Sequence, residues 1–257
     1  MFKKAAVLVA SCGALMAGCG SDQQMSENEE TIANLIEAGF RADDIMEADG
    51  QIVVGRDAFV DVETSREMLQ RVGSKEQYRT TNLVDTSTVK VICVVPTSTF
   101  DSYSRLSAGL DAAINNYNSQ GLSFTMVRGN AGNCDATISA RTTSGVGGSA
   151  GFPKGGKPYG TINIGTGLQS YSTGVNTHVI THELGHCIGF RHSDYYDRSI
   201  SCGGSASNEG SAGVGAIHIP GTPTTATTGG SVMNSCFRSS ESGGWSSSDR
   251  TALNYLY

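Results

Sequence analysis

The sequence is short of the features that mark several common classes of protein. No apolar run reaches the roughly 20 residues of a lasting membrane span; Ala5 to Met16 comes nearest and is too short. No basic patch stands out. Lys and Arg total 18 against 24 Asp and Glu, a net charge of −6, which argues against nucleic acid as a partner. No C-x-x-C pair occurs, so a cytosolic zinc ribbon is not indicated, and no repeat of solenoid length is present. No cysteine lies between residues 20 and 92. What remains is a chain of 257 residues, enough for one medium domain and a small one. Its 33 glycines, with many Ser and Thr, gather in the second half and predict long surface loops there.

Residues 1–18 read as a secretory leader, with Lys3 and Lys4 as the charged start and Ala5 to Met16 as the short apolar run. Loss of those two lysines takes the net charge from −6 to −8. Met16-Ala17-Gly18-Cys19 has the form of a lipobox, the signal of bacterial lipoproteins, and predicts an acylated Cys19. Cys12 follows a rival box but leaves too short an apolar run; an ordinary secretory leader is the alternative. Gly20 after the cysteine favours the outer membrane. The expected location is the bacterial cell envelope, with a membrane anchor through the lipid; secretion is the alternative. Export permits disulfides. Apart from Cys12 and Cys19, five cysteines remain, so at most two bridges form and one thiol is left over. Cys202 with Cys236 would staple the irregular region around Met233, with Cys187 competing for either partner. Cys93 with Cys134 is the other expected pair.

After a polar tether at 19–25, Ser26-Glu27-Asn28-Glu29 is a capping-box pattern. Ile32, Leu35, Ile36 and Phe40 recur at helical spacing, and Gly39 ends the helix. Asp49-Gly50 is a turn signal, with Ile52–Val54 and Phe59–Val60 as strands, and a short helix is expected near Ser65–Val72. Residues 26–72 thus form a small α+β unit, and the polar stretch 73–88 a linker. The main domain, 89–257, begins with the buried strand Val91–Val95 and a helix bearing Tyr103, Leu106, Leu110, Ile114 and Tyr117. Strands follow at 122–127, 136–140 and 161–164, with an edge strand within the glycine-rich 142–160. A helix capped by Ser172 or Thr173 runs to about Gly189. The chain is then irregular to Met233, and a final helix starts near Ser247.

That penultimate helix carries the chemistry. His182-Glu183-Leu184-Gly185-His186-Cys187-Ile188-Gly189-Phe190-Arg191-His192 reads H-E-x-x-H-x-x-G-x-x-H. His182 and His186 are four residues apart and share one helix face. Gly189 tolerates the left-handed conformation that ends a helix, so the chain can turn and bring back His192. Three neutral imidazoles predict one Zn²⁺ with a position left open, the layout of a catalytic site. Glu183 is the expected general base. His178, one turn before His182, could reach the site on position alone but is expected on the helix surface. His218 either lines a specificity pocket or bonds a loop carbonyl. Cys187 is expected as a buried thiol or half of a bridge.

The zinc motif, with Ser231-Val232-Met233-Asn234 about forty residues downstream, resembles the metzincin clan of zinc endopeptidases, in which a Met-turn lies beneath the metal. With Ser201-Cys202-Gly203 and Ile217-His218-Ile219-Pro220-Gly221-Thr222-Pro223 added, residues 30–257 resemble the bacterial dual-action HEIGH metallopeptidases, Leu184 standing where the family name has Ile. The resemblance implies an α+β, metzincin-like protease domain. Its parts are a twisted mixed sheet with two long helices, an edge strand lining the substrate cleft, and an irregular C-terminal subdomain with the Met-turn Met233 and a final helix. Some metzincins supply a tyrosine ligand at the position of Ser235, so none is expected here. The preceding small α+β unit is then an inhibitory prosegment, or else a spacer or docking domain. Val54-Gly55-Arg56-Asp57 resembles the family's V-x-G-D stretch, with Arg56 in place of glycine. Asp57 either covers the zinc or bonds its own turn. The expected function is an exported zinc endopeptidase acting on proteins or peptides. The alternative is a surface binding or adhesion lipoprotein with a vestigial zinc site, which retention of Glu183 speaks against. A hydrolase of non-peptide amides is a further rival.

Overall fold

The computed structural model describes residues 26–48, 50–69, 78–210 and 216–257. Ser26 opens this part with the expected capping box. Its hydroxyl accepts from the Glu29 amide, and the Glu29 carboxylate accepts from the Ser26 amide at 2.9 Å. Helix α1 (Glu27–Glu37) follows, then strands β1 (Met46–Ala48), β2 (Gln51–Val54) and β3 (Ala58–Val60) as an antiparallel meander, then helix α2 (Val62–Leu69). The Asp49-Gly50 signal falls between β1 and β2 rather than between β2 and β3, and Asp49 itself lies outside the described residues. Strand β1 was not legible because all three of its residues are exposed, which removes the alternation that reveals a strand. The second connection is a tight turn at 55–57 in which Gly55 (φ 61°) and Arg56 (φ 73°) are both left-handed. A glycine would sit more easily than Arg56 there.

The body continues with β4 (Val91–Pro96), α3 (Ser98–Ser102), α4 (Ser104–Asn118), β5 (Thr125–Arg128), β6 (Ala136–Thr143), β7 (Gly148–Gly151) and β8 (Thr161–Gly165). Helix α5 (Thr173–Ile188), the single turn α6 (Ser199–Cys202) and the final helix α7 (Ser247–Leu256) complete it. Strands β4, β5, β6 and β8 are mutually parallel, and β7 lies antiparallel to β8. Leu106, Leu110, Ala113 and Tyr117 of α4 pack with Val179, Ile180, Leu184 and Cys187 of α5 against the sheet's Ile92, Val94, Ile138 and Ile162. Each such fully buried aliphatic side chain is worth about 1.5–3 kcal/mol. The Tyr117 hydroxyl donates to the Thr181 carbonyl at 2.8 Å, which ties the two long helices together.

The N-terminal unit extends this sheet. Strand β3 pairs parallel with β7, Ala58 opposite Ala150 and Phe59 opposite Gly151, so the eight strands run in the order β1-β2-β3-β7-β8-β6-β4-β5. The unit has a small core of its own, around Leu35, Phe40, Ile52, Val54 and Met68, and the body's Phe152 belongs to it. The stretch expected as a linker is in part built into the body. Arg79 bridges to Phe190 and Ile217, the Thr80 amide donates to Gly189 O at 2.8 Å, and Thr80, Thr81 and Asn82 are buried. Polarity misleads at this point because the hydroxyls are bonded internally, Thr80 to Asn82 O at 2.6 Å and Thr81 to Asn82 Oδ1 at 3.0 Å. Residues 70–77 lie outside the described part, as do the leader, Cys19 and the tether. Among the described residues no helix is long and apolar enough to cross a membrane. Both expected bridges form, Cys93–Cys134 and Cys202–Cys236, and Cys187 is left as a buried thiol.

Candidate metal centre

Ser172 caps α5 by accepting from the Val175 amide, and Gly189 ends it at φ 111°. That conformation suits glycine alone. The Phe190 amide folds back onto Gly185 O at 3.0 Å, and the chain returns to place His192 against His182 and His186. The three rings stand 4.6–5.1 Å apart, centre to centre.

Each ring has its Nδ1 on an acceptor: His182 on Val232 O at 2.8 Å, His186 on Phe190 O at 2.8 Å, His192 on Glu209 Oε1 at 2.6 Å. An acceptor at Nδ1 puts the proton there and leaves the Nε2 lone pair free to ligate. All three Nε2 atoms then aim at one point. His192 Nε2 is 3.2 Å from His182 Nε2, and His186 Nε2 is buried with no hydrogen-bond partner. Lone pairs facing one another in the interior suit a cation between them. Asp57 reaches the same point from the turn after β2, with Oδ2 3.0 Å from His192 Nε2 and 3.9 Å from His182 Nε2, and Oδ1 3.8 Å from His186 Nε2. Donor atoms of Asp57, His182, His186 and His192 all lie within 4.8 Å of one another. The residues present fit a zinc ion.

Glu183 is almost wholly buried, and its Oε2 has no partner. Burial, and then the charge of Asp57, push its carboxyl well above the usual carboxylate range. It fits only because β7 is bare beside it: a Cβ on Gly148 would stand 2.5 Å from Glu183 Oε1 and 2.6 Å from Cγ. Met233 lies under the helix, its Sδ 2.6 Å from where Gly185 would carry a Cβ, and the same turn aims the Val232 carbonyl at His182. Burial pushes His186 down to about 3. Burial works against a charged His192 as well, yet Asp57 and Glu209 together lift it to about 10, so a cation among the three rings has to displace a proton from His192 Nε2.

A cavity of about 290 Å³ adjoins Glu183 and is lined among others by Arg56, Asp57, Gly148, His178 and Asn234. His178 is therefore not on the surface as expected. It is buried, with Nδ1 3.6 Å from Glu241 Oε2, because α5 is covered all round from Val175 onward. His218 bonds the Thr222 carbonyl at 3.1 Å and its hydroxyl at 2.8 Å, away from the cavity. Sequence reasoning missed Glu209, whose carboxylate holds His192 and is itself gripped by Arg191 and Arg198. The available signal was that Glu209 is the lone acid between Asp197 and Glu241 in a Gly/Ser-rich stretch.

The family profile described as dual-action HEIGH metallo-peptidase matches residues 52–257. The chain belongs to this family. This HEIGH metallo-peptidase is accordingly a zinc metalloendopeptidase with proteins or peptides as substrates, and the three-histidine group is where its structure can hold the ion. The family match begins inside the N-terminal unit, at Ile52, and so takes in Asp57. Two solved structures of myroilysin are similar to it. One is 15% identical, covering 68% of this chain and 97% of its own at a TM-score of 0.40; the other is 13% identical, covering 72% and 99% at 0.36. No curated protein matches the chain.

Proposed function

We propose that this zinc endopeptidase is exported, is held at the cell envelope by a lipid on Cys19, and is kept latent by its N-terminal unit. His182, His186 and His192 are the ligands, Glu183 is the general base, and Asp57 is the blocking group. The observation that carries this reading is the Asp57 carboxylate, 3.0 Å from His192 Nε2 at the point where the three imidazoles converge. A carboxylate oxygen is a good zinc ligand, so it takes the position a reacting water needs. The unit also covers the cleft, because β3 pairs with β7, so that β7 is not the edge strand expected from the sequence, and Ala150 N donates to Asp57 O at 2.9 Å. Two disulfides support export, since such bonds persist in oxidising compartments.

When bound, zinc supplies Lewis-acid polarisation of the scissile carbonyl and acidifies water. Glu183 takes the proton of the attacking water as its oxygen joins the carbonyl carbon. It passes that proton to the amide nitrogen as the C–N bond breaks. The unpartnered Oε2 of Glu183 and its place beside the cavity support this role.

The test compares the full chain with its Asp57→Ala and Glu183→Ala variants on a mixed peptide library, with and without chelator. Asp57→Ala is expected to raise activity at least about tenfold, and chelator to abolish it. Asp57→Ala as inactive as the parent, with zinc bound, removes the latency claim and leaves residues 26–72 a docking unit. On the Asp57→Ala background, Glu183→Ala keeps one zinc per chain and loses about 10²–10⁴-fold in turnover; full activity there rejects the base assignment. Mass spectrometry of the mature N-terminus decides the lipid on Cys19.

A further inference from the structure

His182 and His186 rest on neutral carbonyls, whereas His192 rests on a carboxylate. That carboxylate belongs to Glu209, which is 1% exposed, and it would be costly to bury unpaired. It is fully paired. Oε1 accepts from His192 Nδ1 at 2.6 Å and from Arg198 Nη1 at 2.5 Å, and Oε2 accepts from Arg191 Nη2 at 3.1 Å. Arg191 and Arg198 are themselves buried. Charge-assisted bonds of this kind are short and directional, and they set both the tautomer and the tilt of an imidazole ligand.

The N-terminal unit closes the far side of this cluster. Arg198 Nη1 also donates to the Gly55 carbonyl, and the Gly55 amide donates to the buried Asp44 Oδ2 at 3.1 Å. Gly55 lies so close that a Cβ there would stand 3.1 Å from Glu209 Oε2. The Arg191 guanidinium lies 4.6 Å from the centre of the Phe40 ring. A Cβ on Gly210 would stand 2.7 Å from both Arg41 N and Gly39 O. Two residues after Gly55 comes Asp57.

We propose that Glu209 is a positioning residue that aims His192 at the metal, and that the N-terminal unit braces it through Gly55, Asp44 and Phe40. The unit that carries the blocking carboxylate thus also steadies the third ligand. This rests on the reading of His192 as a ligand.

The experiment uses the full chain with Glu209→Gln, Glu209→Asp, Asp44→Asn and His192→Ala. Zinc affinity is read by competition with a chelator, and ligand geometry by the visible spectrum of the cobalt-loaded protein. Glu209→Gln keeps an acceptor oxygen but loses the charge. It is expected to weaken zinc about 10–100-fold and to shift the cobalt bands, with Glu209→Asp recovering part of both. Asp44→Asn, which changes a group bonded to Gly55, is expected to weaken zinc several-fold. It carries the test alone if Glu209→Gln does not accumulate folded. Parental affinity and an unchanged cobalt spectrum in folded Glu209→Gln overturn the positioning role; the same result in Asp44→Asn overturns the brace. If His192→Ala keeps zinc at parental affinity, the ligand reading fails and this inference with it, whereas a null result confined to Glu209 and Asp44 leaves the ligand reading standing.

Discussion

At Gly148 the side chain that is missing matters more than most that are present. The backbone of β7 passes so close to Glu183 that one methyl group would overlap the carboxylate end. Glu183 is nearly buried, so it has little free space to yield into. Gly148→Ala is therefore expected to lower stability by about 1–3 kcal/mol through overpacking. It is also expected to cut kcat by about 10²-fold, because a displacement near 1 Å at the reacting groups costs about that much. Zinc content is expected to stay at one per chain, since the atoms nearest a Cβ on Gly148 all belong to Glu183. Denaturant titration, metal analysis and steady-state kinetics on the Asp57→Ala background separate the three effects; unaltered kcat would show that Glu183 has room to move.

Among the elements, the described part of the irregular stretch between α5 and α7 is anchored by side-chain carboxylates. Asp194 accepts from the Ser235 amide at 2.9 Å and from its hydroxyl at 2.8 Å. Asp249 accepts from the Val232 amide at 3.0 Å and from the Ser231 hydroxyl at 2.5 Å. Two carboxylates thus fix the Met-turn from both sides, and the Cys202–Cys236 bridge closes a loop of 34 residues beside it. Such a bridge acts largely by restricting the unfolded chain. Replacing both cysteines with serine is expected to lower stability by about 2–4 kcal/mol. A urea midpoint that does not move would show that the carboxylate anchors alone hold the turn.

For the whole molecule, acid is the condition that separates folded from unfolded charge. Burial pushes His218 down to about 4, and His178 likewise. Unfolded histidines protonate near pH 6.5. Between pH about 6.5 and 4 the unfolded chain therefore binds protons that the folded chain refuses, and stability falls as pH falls. The contribution is complete above pH 6.5 and lost by the time pH reaches the folded value near 4. Urea midpoints at pH 7.5, 5.5 and 4.5 are expected to decline in that order, and His218→Gln to flatten the decline. A midpoint that rises on acidification contradicts the sign.

The sequence alone determined what depends on near neighbours. Four-residue spacing on one helix aligns His182 with His186, Gly189 ends that helix at positive φ, and Ser26 with Glu29 forms the capping box of α1. The long helices and buried strands follow from periodicity, and parity among five cysteines limits the bridges to two; which thiol is left over, Cys187, is decided by the fold. Asp57 entered through resemblance and through the lack of cysteine between residues 20 and 92. Only the tertiary structure brings it within 3.0 Å of His192, because a sheet pairing of β3 with β7 sets that distance. The same holds for Glu209 on His192, Gly148 against Glu183, and the burial of Thr80 and His178. Those contacts join residues from separate elements, and neither partner's local pattern records the other. A lone acid in a polar loop reads the same whether it faces water or a ligand's imidazole; which one it meets is decided when the chain closes on itself.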